Sequence, residues 1–420
     1  MTKASGRATF RDVFAVGEFR ALWFAELLSM FGDQLARVAL SILVYQKTNS
    51  AALTGLTYAL TYAPSLLGGI FLSPIADRFP RREVMVAVDV IRAVVIGVAA
   101  IPGVPYQALW GLVAIVSLAN PPFKASQLAL MPDVLAGDRY VVGMAIRSMT
   151  IQTAQMLGFV GGGVLILSVD PHVGLLIDAL TFVVSAAFVR FGLRYRPAAA
   201  RPTQRVPFLA SVSAGGRLLF ADHGLRTLLL YTWFLSLLTV YEGLAVPYAA
   251  EFHGSSAAVG LLLAADPLGS VIGTFAFTRW VSPDVRPRLV GILAILASVV
   301  LLVCFLHPGL IVSILVFMAG GVLGATALMQ ATASLSLAVP DSARAQAMGL
   351  SNSGLSTITG ISPAIGGVIA DQLGSTATTV GVFGIVGLAL AVPLGLAWQK
   401  ELRTQPQRWI PGDSTPTGQS

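Results

Sequence analysis

A chain of 420 residues that is 55% hydrophobic and only 11% charged, with a mean hydropathy of +0.78, lies far from the composition of a soluble protein, in which about a quarter of residues carry charge. Its formal charge of +7 is spread over the short breaks between apolar runs, which argues against a nucleic-acid partner and for a membrane-topology signal. The composition leaves a polytopic membrane protein.

Residues 1–20 are polar and basic, and the first apolar run shows no small-residue cleavage site, so that run is expected to stay in the membrane as an anchor. A helix needs about 20 apolar residues to cross the hydrocarbon. Windows of that length fall at 22–44, 54–76, 84–102, 107–128, 143–168, 172–192, 227–250, 257–280, 288–306, 309–335, 347–370 and 377–398. They are continuously apolar with Gly and Pro inside them, which predicts twelve helical spans and not the alternating strands of a barrel. The single cysteine, Cys304, falls inside the ninth run, where it reads as a small buried side chain with no disulfide partner.

Charges inside the spans are costly, roughly 2.5 to 3.5 kcal/mol each at mid-span, and so mark candidate functional positions. In the first span Glu26, Met30, Asp33 and Arg37 fall at i, i+4, i+7 and i+11, on one helix face that must look into protein or a watery cavity. Asp33 either pairs with Arg37 one turn away or offers its carboxylate to a proton or cationic substrate. Glu26 lies nearer the cytoplasmic end and is expected to snorkel. The loop after the second span carries Asp77, Arg78, Arg81 and Arg82. Asp89 and Arg92 are spaced for an intrahelical pair near the cytoplasmic surface. Arg147, inside the fifth span with Gln152 and Gln155 beyond it, suits an anionic group, and Asp178 lies in the sixth. In the second half, Glu242 follows Tyr241 and precedes Pro247, and Asp266 precedes Pro267.

Basic residues set the orientation. One side would hold Lys3 to Arg20, Arg78, Arg81 and Arg82, Lys124 and Arg139, Arg190 to Arg226, Arg279 to Arg288, Arg344 and Lys400 to Arg408, and the other only Lys47. Lys and Arg are retained on the cytoplasmic side, which predicts a multi-pass plasma (inner) membrane protein with both termini cytoplasmic. Composition divides the chain into a six-helix bundle at 1–193, a linker at 194–226, a second bundle at 227–400 and a cytoplasmic tail at 401–420. The linker runs from a basic, Pro-containing stretch (Arg194, Arg196, Pro197, Arg201, Pro202, Arg205) into Val206, Phe208, Leu209, Val212, Leu218, Leu219 and Phe220. That pattern suits either an interfacial helix or a flexible connection. The halves look related: Leu130-Met131-Pro132-Asp133 followed by Gly162-Gly163-Val164 parallels Val339-Pro340-Asp341 followed by Gly366-Gly367-Val368.

The segment Ser73-Pro74-Ile75-Ala76-Asp77-Arg78-Phe79-Pro80-Arg81-Arg82 resembles the G-x-x-x-D-R-x-G-R-R signature of the major facilitator superfamily, with Ser73 and Pro80 in place of the glycines. Gly158-Phe159-Val160-Gly161-Gly162-Gly163 and Ser362-Pro363-Ala364-Ile365-Gly366-Gly367 resemble the G-P-x-x-G-G motif of drug exporters, the first without its proline. Phe19-Arg20-Ala21-Leu22-Trp23, with Ser29-Met30-Phe31-Gly32-Asp33, looks like the start of the third drug:proton antiporter group, which includes relatives that export siderophores. The arginine motif that other groups carry in helix four is missing. The resemblance implies an all-α fold of twelve transmembrane helices in two pseudo-symmetric six-helix bundles, usually working as a monomer. It implies a cytoplasmic gate at Asp77, Arg78, Arg81 and Arg82, close packing or bending at Gly158, Gly162, Gly163, Pro363, Gly366 and Gly367, and a proton or substrate pathway among Asp33, Arg37, Glu242, Asp266, Arg147 and Glu26.

No enzyme constellation stands out. His172, His223, His253 and His307 fall at loops without metal-ligand spacing, no cofactor is implied, and there is no G-x-x-x-x-G-K-[ST] motif for ATP. The expectation is a secondary active exporter of an amphipathic drug or natural product, proton-coupled, working by alternating access, with substrate, protons and membrane lipid as its partners. An importer or lysophospholipid transporter of the same architecture is the alternative, and a channel or receptor is further off.

Overall fold

The computed structural model describes residues 9–72, 75–197 and 216–409, all helices and connections with no strand among them. Each expected span is present as helix. The first is Gly17–Thr48, whose 32 residues rise about 48 Å at 1.5 Å per residue, more than enough to cross. The third to sixth are Arg81–Ala99, Tyr106–Val134, Asp138–Ser168 and Pro171–Gly192. The eighth is Ser256–Trp280, the ninth Arg286–Leu301 closed by a 3-10 turn at Leu302–Leu306, and the last three are Leu310–Ala338, Asp341–Leu373 and Thr376–Thr404.

Two spans are broken. The second divides into Ala51–Leu60 and Ala63–Phe71, because Pro64 has no N–H to give and its ring crowds the carbonyl one turn back. The seventh divides into His223–Leu237 and Val240–Glu251. At both breaks a serine from a neighbouring span satisfies a backbone carbonyl: Ser117 Oγ donates to the Thr61 carbonyl at 3.0 Å, and Ser362 Oγ to the Leu237 carbonyl at 2.9 Å. Irregular backbone at membrane depth survives only where protein supplies such partners.

The chain forms two compact units. The first holds the residues up to Thr48, those from Leu60 to the linker, and Ser255–Ala264; the second holds Asn49–Ala59, the chain from the linker to Gly254, and Ala265 onward. The core of the first unit includes Phe19, Leu22, Met85, Leu130 and Val189, drawn from several different spans and almost fully buried. Small residues let backbones approach in both. A Cβ on Gly163 would lie 2.6 Å from the Gly260 Cα in the first unit, and one on Gly367 would lie 2.7 Å from the Ala52 Cα in the second. Gly158 and Gly162 likewise pack against the Gln34 and Leu35 turn of the first span, and Gly366 against Val240 and Leu244. Pro363 sits inside the unbroken helix Asp341–Leu373, against Gly243 and Gly55.

Lys124 does not lie in a loop, contrary to the expectation from the basic-residue pattern: it is inside Tyr106–Val134, ten residues before its end. The apolar run stops at 128, but the helix continues through Pro132. Val206, Phe208, Leu209 and Val212 lie outside the described residues, while 216–221 is helical, with Leu219 buried and Phe220 exposed.

Candidate functional site

In the first unit the in-span charges gather on a few neighbouring faces. Asp33, midway along the first span, does not pair with Arg37. Its carboxylate accepts a 2.8 Å hydrogen bond from Arg92 of the third span. Arg92 is 1% exposed and Asp89 fully buried, so this is no surface pair. The Arg92 guanidinium lies 3.8 Å from the Asp89 carboxylate, also donates to Ser29 Oγ, and rests on the Phe182 ring at 3.9 Å. Asp89 is held by Ser185, whose hydroxyl donates at 2.6 Å. One oxygen of Asp89 and the Nε of Arg92 have no hydrogen-bond partner. A third carboxyl, the buried Asp178, accepts from Thr181 and lines a cavity of about 40 Å³ with Asp33, Arg37, Arg92, Ser117 and Asn120. That space can hold water beside several polar groups. Arg37 instead donates to Gln34 at 3.0 Å and to the Tyr62 hydroxyl at 2.6 Å, its guanidinium 4.4 Å from the centre of that ring. Tyr62 stands at the break in the second span, directly before Ala63–Phe71.

Glu26 does not snorkel. It is 6% exposed and forms a 2.7 Å ion pair with Arg147 of the fifth span, which also reaches Gln127. The anionic group expected for Arg147 is therefore a residue of the chain itself. Lys124 stands on the same face of the fourth span as Asn120 and Gln127 and is exposed.

In the second unit the Tyr58 hydroxyl donates to the Glu242 carboxylate at 2.6 Å, and Glu242 is buried. Tyr241, the residue before it, donates to Asp266, to which Ser270 also donates. The Tyr241 ring is stacked on Phe317 with centroids 4.3 Å apart. Each of these two carboxylates is thus read by a tyrosine. Cys304 is buried beside Tyr248, as its apolar run implied.

The loop signature is partly a set of helix ties. Arg81 donates to the Ala129 carbonyl at 2.7 Å and pairs with Asp133 at 3.0 Å. The acid of the Leu-Met-Pro-Asp repeat is therefore held by an arginine of the loop motif. Arg82 donates to Glu83 and to the Leu193 carbonyl, and Arg78 is exposed. Ser73, Pro74 and the side chain of Asp77 lie outside the described residues. Sequence reasoning missed Arg92 as the partner of Asp33, along with Tyr58, Tyr62 and the in-span place of Lys124. The i, i+3 and i+7 spacing of Ser117, Asn120 and Lys124 was the signal available for the last.

Twelve apolar spans carrying charge clusters within the membrane-spanning part define a membrane transporter. The family model of the Major Facilitator Superfamily matches residues 22–244 and 243–418, and the chain belongs to that superfamily. Curated relatives include the Enterobactin exporter EntS of Shigella boydii, 25% identical over 94% of this chain and 96% of the relative, and that of Salmonella typhimurium, 26% identical over 92% and 94%. Among solved structures, the inward-facing, occupied form of a bacterial homolog to the human lysosomal transporter Spinster has a TM-score of 0.73 at 15% identity, covering 97% of this chain and all of that one. The peptide transporter POT in complex with sulfate has a TM-score of 0.72 at 17% identity, covering 96% of each. These share the fold: twelve helices in two halves.

Proposed function

We propose that this transporter is a secondary active exporter that moves an amphipathic small molecule out of the cell by alternating access, in exchange for protons. The observation that carries the reading is the grouping of Asp33, Asp89 and Asp178 around Arg92 beside a small polar cavity. Asp33 and Asp89 share one guanidinium, the third carboxyl, Asp178, lines the same cavity, and the nearby Arg37 is engaged by Gln34 and Tyr62. Charge balance in a poorly polarisable interior then leaves room for a proton. A proton arriving at Asp33 loosens its bond to Arg92; a proton leaving restores it. That couples protonation to the packing of the first span against the third. Glu242 and Asp266, each bound by a tyrosine hydroxyl, form the corresponding acids of the second unit.

The outward direction and the small-molecule substrate are supported by the curated enterobactin exporters that match over nearly the whole chain. Asp77 is assigned to a cytoplasmic gate with Arg78, Arg81 and Arg82, and the protein is assigned to the inner membrane as a monomer with both termini cytoplasmic. The test is proton movement in proteoliposomes carrying a pH-sensitive dye, with amphipathic compounds added to wild type, Asp33→Asn and Glu242→Gln. Compound-driven proton flux that falls at least about tenfold, or roughly 1.4 kcal/mol in barrier, in either variant supports antiport. Compound movement with no proton flux in wild type removes proton coupling from the reading.

A further inference from the structure

The fourth span presents Ser117, Asn120, Lys124 and Gln127 at i, i+3, i+7 and i+10, one polar stripe on one helix face. Three of these are engaged inside the first unit. Ser117 bonds the Thr61 carbonyl, Asn120 lines the small cavity, and Gln127 is reached by Arg147. Lys124 is not. Of the four cations on this polar side, Arg92 and Arg147 pair with Asp33 and Glu26, and Arg37 bonds Gln34 and Tyr62. Lys124 alone among them, within the described residues, has no hydrogen bond or ion pair, and its side chain is exposed.

Snorkelling does not account for this position. Asn120, one turn before it, lines the cavity beside Asp33, and Gln127, one turn after it, is reached by Arg147, so Lys124 stands between these groups and not at a helix end. Asp33 and Glu26 are already held by arginines, so neither bonds nor pairs with the Lys124 ammonium. An ammonium kept accessible among these in-span polar groups, where a charge is expensive, and with no direct partner is placed to take an anion from outside the chain. Lysine is well suited to meet one, because its compact charge on a flexible stem can follow a ligand.

We propose that Lys124 is the anchor for an acidic group of the transported molecule, so that the substrate is an amphipathic organic anion. This rests on the reading of the chain as a small-molecule exporter. A charge-assisted bond of this kind changes affinity by about tenfold or more.

The experiment compares uptake of anionic 5-carboxyfluorescein and cationic ethidium into inside-out vesicles for wild type, Lys124→Met, Lys124→Gln and Lys124→Arg. Anisotropy binding of 5-carboxyfluorescein to the purified full chain runs alongside, on variants that elute and melt like wild type. Expected is uptake and binding of the anion that fall at least tenfold in Lys124→Met and Lys124→Gln, survive in Lys124→Arg, and leave any ethidium uptake unchanged. Anion handling that is equal in all four, or wild-type movement of ethidium alone, overturns the proposal and leaves the exporter reading standing. Lysine-dependent binding without uptake supports the site and sinks export instead. Absence of both binding and uptake of the anion in wild type overturns the proposal.

Discussion

The polar residues inside the first unit are arranged so that removing one partner is worse than removing both. Arg92 is fully buried against Asp33, Asp89 and the Phe182 ring, and breaking a buried pair from one side costs roughly 3 to 5 kcal/mol because it strands a charge. Arg92→Met is therefore expected to lower the unfolding temperature strongly, and Asp33→Asn mildly, since Arg92 then keeps the Asp89 carboxylate 3.8 Å away. The double variant should recover part of the Arg92→Met loss. A double variant no more stable than Arg92→Met would show that Asp33 is not the charge stranded. Glu26 and Arg147 give an independent cycle, in which the two single losses should exceed the double loss by about 1 kcal/mol or more. Periodicity showed that Glu26, Asp33 and Arg37 share a face, because that follows from 3.6 residues per turn. It could not show that Asp33 belongs to Arg92, because a neighbour one turn away and a neighbour on another span look equally good until the spans are packed.

At the level of the helix, contacts and caps decide what a substitution does. A Cβ at Gly163 would meet the Gly260 backbone at 2.6 Å, whereas one at Gly69 meets nothing within 4 Å. Gly163→Ala should push two helices of the first unit apart and lower the melting temperature, while Gly69→Ala should leave it level or slightly raised, as Ala is the better helix former by about 1 kcal/mol. Equal effects at both positions would remove close packing as the reason for the glycine motif. Helix ends carry a second expectation. Asp222 caps His223–Leu237; partial burial works against its charge, but the Leu225 N–H and Arg408 outweigh that and hold the carboxyl below its usual range. A depressed carboxyl adds stability that is complete above about pH 4, the unfolded value, and is lost as pH falls through the folded one. Asp222→Asn should thus flatten the acid limb of the stability curve below about pH 4, read by thermal unfolding at several pH values. Both spans that break were legible as spans but not as broken ones. Pro64 hinted at one, yet nothing in the residues at 238–239 announced the other, whose freed carbonyl is satisfied by a serine 125 positions away.

For the molecule as a whole, the sidedness of the basic residues makes a prediction that no internal contact can make. With Lys124 placed inside a span, the loops lose one cation, but the remaining asymmetry stands, with Lys47 still the only basic residue on the opposite side. Retention of Lys and Arg acts during insertion, before the units pack, so orientation is set by short connections such as Arg279 to Arg288. The native Cys304 is buried and should stay silent to an impermeant maleimide, which gives a clean background. Ser255 and Ser282 are exposed and lie in the connections at opposite ends of the eighth span, Ser256–Trp280. In intact cells Ser255→Cys should label fully and Ser282→Cys only after permeabilisation, a difference of about tenfold or more for a topology biased by at least roughly 1.4 kcal/mol. The reverse pattern would put the termini outside and turn the proposed export into uptake. Equal labelling of both would mean that the chain inserts in two orientations, a state in which no charge cluster could be assigned to one direction of movement.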